Sequence, residues 1–241
     1  MNLQTLTPAR ASHEVAGLLR SRIQSGEWGV GFQLPPQRQL SELLGVGRQA
    51  VREGLGQLEA EGFLITRRGA HGGSFVQEPS TPIEVWRALL LSNLPDLDDL
   101  LDFRSGIEQR MCTLAATRRT ASDLEEMSAS IDALPISTTA GTVVSYSSFR
   151  EADSRFHTAV GHAAKNPRLN EASRKARAEL FMPTDHLPYE QRVEVTRNQH
   201  TDIYRAIEAG DAAGAAKAAM AHLEETRRNL YALVGEEHTN G

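Results

Sequence analysis

The chain contains 241 residues, of which 40% are hydrophobic and 24% are charged. This composition excludes general disorder and allows one large domain or two ordinary ones. The single cysteine, Cys112, excludes a disulfide framework within one chain and favours a reducing cytoplasm. Because no stretch has the length and apolar character of a signal region or a membrane span, we expect no membrane partner.

The net charge of −5 is unevenly distributed along the chain. Residues 1–77 carry eight Lys and Arg against six Asp and Glu, whereas the remainder carries 18 against 25. The first part is therefore mildly basic and the second part acidic. This asymmetry permits DNA binding by the first part alone.

The first part of the chain predicts three helices followed by a β-hairpin, the pattern of a winged helix-turn-helix. Ser12 is the expected N-cap of the first helix, and Leu40, Leu43 and Leu44 are expected to point inward from the second. The predicted elements are helices at 11–25, 37–44 and 48–61 and strands at 63–68 and 74–77.

The start of the third helix carries side chains suited to reading DNA. In a helix-turn-helix this helix enters the major groove, where Arg recognises guanine and Gln recognises adenine. Each arginine taken alone is equally consistent with a solvated helix surface, whereas the ordered set favours DNA contacts. The candidate DNA-binding residues are Arg38, Gly47, Arg48, Gln49 and Arg52, together with His71 in the glycine-rich turn of the hairpin.

Three segments, Leu34–Leu40, Leu44–Leu55 and Leu58–Leu64, resemble the DNA-binding domain of the GntR family of bacterial transcription regulators. The resemblance covers about residues 10–78. It implies that Arg38, Arg48 and Arg52 make the main DNA contacts. The chain departs from the family at Gly47, where Ser or Thr is usual, and at Gly54, where Ala is usual.

The segment Pro79–Pro82 is the predicted linker between two domains. The predicted organisation is a DNA-binding domain at 1–78, a linker at 79–82 and an all-helical domain at 83–241. Six or seven helices are expected over 83–234, and the segment 136–142 is expected to form a loop. Helix boundaries are predicted at Asn166–Pro167 and at Gly210–Asp211.

Four potential metal ligands lie within apolar helical stripes of the second domain. Asp153 and His157 are spaced i, i+4 on one helix, and His200 and His222 lie on two later helices. Burial of such groups without partners would cost several kcal/mol, whereas one shared cation would satisfy all four. This donor set suits zinc first, with nickel, iron(II) and manganese as alternatives. Separate structural roles for the four residues are the competing interpretation.

Four segments of this domain resemble the FCD effector domain of the FadR subfamily of GntR regulators. They are Asp153–His157, Asn166–Leu169, His200–Asp211 and Met220–Leu223, and an extra helix at about 83–93 also matches that subfamily. Metal-binding members use one Asp and three His as ligands, and all four positions are filled here.

Arg104 and Glu108 match the Arg-x-x-x-Glu pattern of that family. The resemblance implies that Arg104 binds the carboxylate of an effector. A surface salt bridge between the two residues is the alternative interpretation.

Together these features predict a mainly α protein that acts as a transcription regulator and not as an enzyme. By resemblance it is a homodimer on near-palindromic operator DNA. A small carboxylate metabolite, bound at a metal-containing cavity in the helical domain, would control its operator affinity. A metal-dependent enzyme acting on a small carboxylate and a pure metal-sensing regulator are the alternatives.

Overall fold

The computed structural model describes residues 8–69, 72–77, 84, 88, 91–92, 94–135, 146–180 and 189–235. This part of the chain forms nine helices and one two-stranded sheet, which confirms the mainly α fold class. The chain divides into two compact units, residues 1–80 and 81–241. Among the helices that are described, none combines the length and the apolar character needed to cross a bilayer. The predicted linker, the segment 136–142, His71 and most of 83–93 lie outside the described residues.

The first unit has the element order of a winged helix-turn-helix. Its elements are α1 (Pro8–Gln24), α2 (Gln37–Leu44), α3 (Arg48–Ala60), β1 (Leu64–Arg67) and β2 (Gly73–Val76). The prediction of Ser12 as an N-cap is wrong, because Ser12 lies inside α1, four residues after Pro8.

The core of the first unit lies where α1 crosses α3. Val15 and Leu19 of α1 are buried, as are Val51 and Leu58 of α3. Gly54 lies at the crossing, where an added Cβ would come within 2.9 Å of Val15 Cγ1 and 3.0 Å of the Ser12 carbonyl oxygen. The glycine in place of the usual alanine therefore permits a closer approach of the two helices.

The inward face of α2 is narrower than predicted. Leu40 is buried and Leu44 is half-buried, but Leu43 is 68% exposed. Successive residues of a helix are rotated by about 100°, so Leu44 lies about 40° from Leu40 and Leu43 about 60° away on the opposite side. Because α2 is short and packs mainly on α3, its contact does not extend to Leu43.

The hairpin is a wing formed by β1 and β2, which pair antiparallel with Leu64 opposite Val76. The segment just before α2 pairs with β2 and so widens the hairpin. The Leu34 amide donates to the Ser74 carbonyl and the Val76 amide donates to the Phe32 carbonyl, both at 2.9 Å. The Gln33 side chain also donates to the Gly72 carbonyl at 3.0 Å. The base of the wing is thus fixed to the body of the unit.

The second unit is all-helical in the residues that are described. Its helices are α4 (Leu94–Arg118), α5 (Ala121–Asp132), α6 (Tyr146–Ala163), α7 (Pro167–Glu179), α8 (Tyr189–Ala209) and α9 (Ala212–Val234). The helix boundaries predicted at Asn166–Pro167 and at Gly210–Asp211 agree with these helices. Asn166 Oδ1 accepts hydrogen bonds from two backbone amides at the start of α7, and Asp211 caps α9 after Gly210 at φ 76°.

The helices of the second unit share one apolar core. Phe156, Met111, Met127 and Ile207 are among its buried members. Cys112 lies in the same core, and burial raises the pKa of its thiol. This cysteine is therefore a packing residue and not a reactive thiolate.

The start of α4 and the end of α9 are joined by a polar clasp. Arg227 donates to Asp98 at 2.8 Å and to Asp102, and the Tyr231 hydroxyl donates to Asp98 at 2.6 Å. Beneath this α4–α9 clasp lies a small apolar cluster that includes Leu97, Leu101, Leu230 and Tyr231. The clasp and the cluster hold the first and last of these six helices together.

Candidate functional site

The first turns of α3 expose polar side chains on one face. Arg48, Gln49 and Arg52 are exposed, whereas Ala50 and Val51 are buried. The Arg52 guanidinium donates to Gln49 Oε1, and Gln49 Nε2 donates to Glu53 Oε1 at 2.6 Å. These side chains are therefore arranged along the outer surface of the helix. Groups of this type at the start of a recognition helix can read base edges in the major groove.

Two further predicted DNA-binding positions flank this face. Arg38, on α2, is 74% exposed, and its Nε lies 3.7 Å from the Glu42 carboxylate. Gly47 is the N-cap of α3 in extended geometry, at φ −66° and ψ 147°, and no side chain caps the helix there. The helix N-terminus thus presents backbone amides, which suit a phosphate.

The wing is described only in part. Arg67 lies over the ring of Phe75, with its guanidinium carbon 4.7 Å from the ring centroid. The guanidinium is thus stacked on its own sheet, while Arg68 is exposed. His71 lies outside the described residues.

In the second unit the structure brings together all four predicted metal ligands. Asp153 and His157 lie on α6, His200 on α8 and His222 on α9. One ligand atom of each residue lies within 4.8 Å of those of the other three. We call these four residues the His–Asp cluster. Three separate helices thus converge on one point in the bundle.

The spacing of the His–Asp cluster is close to that of a metal centre. Asp153 Oδ1 lies 3.7 Å from His157 Nε2 and 3.5 Å from His200 Nε2. Atoms bound at about 2.1 Å to one ion are at most about 4.2 Å apart, so no pair of ligand atoms has to close by more than about 0.6 Å to come within that limit. Small side-chain adjustments are enough for that change.

His200 provides a direct test of whether a cation fits. The side chain is 0% exposed, and its ring stacks on Phe156 with the centroids 3.9 Å apart. Among the described residues neither ring nitrogen has a hydrogen-bond partner. Burial lowers the pKa of His200 well below its ordinary value, so the ring is neutral near pH 7. A neutral imidazole with buried and unsatisfied nitrogens is the group that a metal ion would satisfy.

The other two imidazoles are held by hydrogen bonds on their outer side. His157 Nδ1 donates to Glu108 Oε2 at 3.1 Å, and His222 Nδ1 donates to Gln199 Oε1 at 2.8 Å. These bonds leave Nε2 of each ring available to the cluster. Burial lowers the pKa of His222 to about 4, so it too is neutral near pH 7.

Two arginines and a second carboxylate adjoin the cluster. Arg104 donates to Glu108 Oε1 through Nε at 3.1 Å and Nη2 at 2.9 Å. The salt bridge that was the alternative to effector binding is therefore present, but it is buried and not on the surface. Burial raises the pKa of Glu108, but Arg104 and His157 outweigh it and hold the pKa well below its ordinary value. Arg177 lies 3.6 Å from Asp153. Burial also raises the pKa of Asp153, and the charges of His157 and Arg177 outweigh it to give about 2.

Sequence reasoning missed several neighbours of the cluster. Gln199 gave no signal, since a glutamine on a helix is ordinarily a solvated residue. Arg177 follows other basic residues on α7, and the sequence pattern does not distinguish it from them. Glu108 was noted only as a partner of Arg104. Its contact with His157 depends on how α4 packs against α6, which no local pattern specifies.

Family models match both units of the chain. The model described as "Bacterial regulatory proteins, gntR family" matches residues 11–76, and the model described as "FCD domain" matches residues 99–225. The second match alone spans more than half of the chain.

Curated relatives agree with these matches. The chain is 34% identical over 233 residues to the "Putative L-lactate dehydrogenase operon regulatory protein" of Escherichia coli K12, covering 90% of this chain and 84% of that protein. It is 30% identical over 213 residues to the HTH-type transcriptional regulator LutR of Bacillus subtilis, covering 83% and 92%. It is 29% identical over 235 residues to the Glc operon transcriptional activator of E. coli K12, covering 93% and 90%.

Among solved structures, E. coli McbR/YncC superposes with a TM-score of 0.55 at 20% identity, covering 92% of this chain and 97% of that one. At this identity the likeness supports the fold alone. The relatives are regulators and not enzymes, which excludes the alternative of a metal-dependent enzyme. The chain belongs to the GntR family of bacterial regulatory proteins, with an FCD domain after its DNA-binding domain.

Proposed function

We propose that a small carboxylate metabolite, bound beside a divalent metal ion in the FCD domain, sets the operator affinity of this transcription regulator. The observation that carries the proposal is His200, whose two buried ring nitrogens have no hydrogen-bond partner among the described residues and lie beside three other potential ligands. A structural histidine would be expected to have a hydrogen-bond partner.

The metal would be held by the three imidazoles and the one carboxylate of the His–Asp cluster. Neutral nitrogens with one anionic oxygen suit zinc first, and nickel, iron(II) or manganese as alternatives. Four protein ligands leave positions open in a five- or six-coordinate ion. A bound ion would thus supply positive charge and a place for a ligand oxygen.

A carboxylate is the effector class that the surroundings favour. The guanidinium groups of Arg104 and Arg177 lie beside the cluster, and arginine recognises carboxylates through paired hydrogen bonds. One relative is named for the L-lactate dehydrogenase operon. L-lactate, a small hydroxy acid, is therefore the first compound to test.

DNA binding is assigned to the first domain, residues 1–78, with 79–82 as the linker and 83–241 as the effector domain. The exposed side chains of Arg48, Gln49 and Arg52 would contact bases, with Arg38, Gly47 and His71 completing the interface. By family likeness we expect a homodimer on a near-palindromic operator. Because phosphate contacts release counterions, operator affinity should fall steeply as salt increases.

Metal content and operator binding test the proposal together. We expect purified protein to carry about one divalent ion per chain, and L-lactate to change its affinity for the promoter DNA next to its own gene. His200→Ala should lose the ion and the response to L-lactate, whereas His162→Ala, an exposed histidine outside the cluster, should keep both. Equal metal in the His200 variant and the parent, by elemental analysis, would contradict the metal site.

One observation favours a second candidate, a regulator for which the metal itself is the signal. Arg104 already donates two hydrogen bonds to Glu108, so its availability to an effector depends on breaking that pair. In this case, adding zinc alone to metal-free protein should change operator affinity fully. A further change on adding carboxylate would favour the first candidate.

A further inference from the structure

Glu108 connects two parts of the proposed site that otherwise have separate roles. Its Oε2 accepts the hydrogen bond from His157 Nδ1 at 3.1 Å, and its Oε1 accepts two from Arg104 at 2.9 and 3.1 Å. Ser173 Oγ lies 3.5 Å from the same Oε1. The Glu108 side chain is only 5% exposed, so water contributes little to its solvation.

The contact with His157 determines which ring nitrogen faces the His–Asp cluster. A carboxylate accepts but does not donate, so Nδ1 of His157 carries the proton and Nε2 keeps its lone pair. That lone pair is on the side of Asp153. A carboxylate behind a ligating imidazole also raises the basicity of the imidazole.

Among the described residues the three imidazoles differ in what supports them. His222 has a neutral amide, Gln199, behind its ring, and His200 has no hydrogen-bond partner at all. Only His157 has a carboxylate on its outer side within this described set. The loss of that carboxylate should therefore affect the metal more than the loss of any other outer partner.

We infer that Glu108 is a positioning residue which couples metal binding to effector binding by joining His157 to Arg104. The inference rests on the proposed function, because it assigns His157 to the metal ion and Arg104 to the carboxylate of the effector. An effector that binds Arg104 would change the hydrogen bonds that Arg104 donates to Glu108, whose carboxylate supports His157. By linkage the ion must then alter the affinity for the effector to the same degree.

A purely structural role is the competing explanation. The buried pair of Arg104 and Glu108 lies on one helix, and its contact with His157 also ties α4 to α6. On that view, changing Glu108 would destabilise the bundle and leave the intrinsic affinity of the folded protein for metal unchanged.

Metal affinity of the folded protein separates the two explanations. Zinc affinity is measured by competition with a chromophoric chelator, for the parent, Glu108→Gln and the control Glu126→Gln, an exposed glutamate of α5, with circular dichroism to confirm folding. We expect Glu108→Gln to bind zinc about 10 to 100 times more weakly and Glu126→Gln to match the parent. The absorption spectrum of bound Co²⁺ should also shift in Glu108→Gln, because the basicity of one ligand has changed.

A double-mutant cycle tests the coupling. Arg104→Met should change zinc affinity by at least about twofold in the parent, because Glu108 loses two of its donors, and should have no further effect in Glu108→Gln. If Glu108→Gln does not fold, Arg104→Met alone tests the inference, since the hydrogen bonds described for Arg104 go to Glu108 and not to the four cluster residues. Unchanged zinc affinity in a folded variant at either position overturns the inference.

The failure of the inference is distinguishable from that of the proposed function. If the parent binds no divalent ion at all, the proposed function fails and the inference fails with it. If the parent binds zinc and the Glu108→Gln variant binds it equally well, only the inference is overturned.

Discussion

Replacing His200 by leucine should have opposite effects on stability with and without metal. The side chain is fully buried, and both of its ring nitrogens lack a hydrogen-bond partner among the described residues. In the metal-free protein this arrangement lowers the free energy of unfolding, since each unsatisfied buried polar group costs about 1–3 kcal/mol. Leucine has no polar atoms and is of similar size, so it removes the penalty.

The magnitudes follow from the contacts of the ring. Relief of two unsatisfied nitrogens contributes about 2–6 kcal/mol, and loss of stacking on Phe156 costs about 0.5–1.5 kcal/mol. We expect metal-free His200→Leu to be more stable than the metal-free parent by roughly 2 kcal/mol, or about 4–8 °C in Tm. With zinc at about 1,000 times its Kd the parent gains about 4 kcal/mol that the variant lacks, so the order reverses.

Differential scanning calorimetry of both proteins, with a chelator and with zinc, measures this reversal. His162→Leu is the matched control, because His162 is exposed on α6 and lies outside the His–Asp cluster. It should melt close to the parent in both conditions. The reasoning is refuted if metal-free His200→Leu melts below the parent, or if zinc raises the Tm of both proteins equally.

Three further predictions follow from other parts of the structure. Arg48→Ala should weaken specific operator binding by about 1–3 kcal/mol without changing metal content, as measured by fluorescence anisotropy, with Arg155→Ala on the FCD domain as the control. Gly54→Ala should destabilise the protein by about 1–3 kcal/mol in urea unfolding, because the new Cβ meets Val15 and the Ser12 carbonyl. Gly56→Ala on the same helix, where an added Cβ contacts nothing within 4 Å, should instead stabilise it by up to about 1 kcal/mol, and equal effects of the two substitutions would contradict the close crossing. Finally, the metal-free protein should lose stability as pH falls from about 6.5 to 4. The pKa of His222 is about 4 when folded and about 6.5 when unfolded, so the unfolded chain takes up the proton first, at a cost of up to roughly 3 kcal/mol. Unfolding free energies that rise on acidification over this range would contradict it.

Much of the fold was predictable because its signals are local. The glycines, prolines and capping residues that end or begin helices depend on a few neighbouring residues, and the boundaries at Asn166 and Gly210 agree with the structure. The outward position of Leu43 was not predictable in this way. It depends on how much of α2 the rest of the unit covers. That coverage is set by the packing of the helices and not by the helical repeat of apolar residues in the sequence.

The candidate site shows the same division between local and long-range information. Four polar residues within apolar stripes identified the His–Asp cluster, because a buried histidine or aspartate without a partner is costly wherever it lies. Gln199 and Glu108 were not assigned as supports of imidazoles. A residue that contacts the back of a ligand lies on a different helix from that ligand, and its identity follows only from the packing of the helices.

The α4–α9 clasp affects how the effector domain can be excised for separate study. The matched FCD region ends at residue 225, yet Arg227 and Tyr231 bind Asp98 from beyond that limit, and Asp98 itself precedes residue 99. A fragment trimmed to the matched region would remove every hydrogen bond of the clasp. It would also expose Leu101, which Leu230 and Tyr231 help to cover, to solvent. Truncation at residue 235 keeps both the clasp and its apolar cluster, and a soluble fragment is expected from that limit rather than the shorter one.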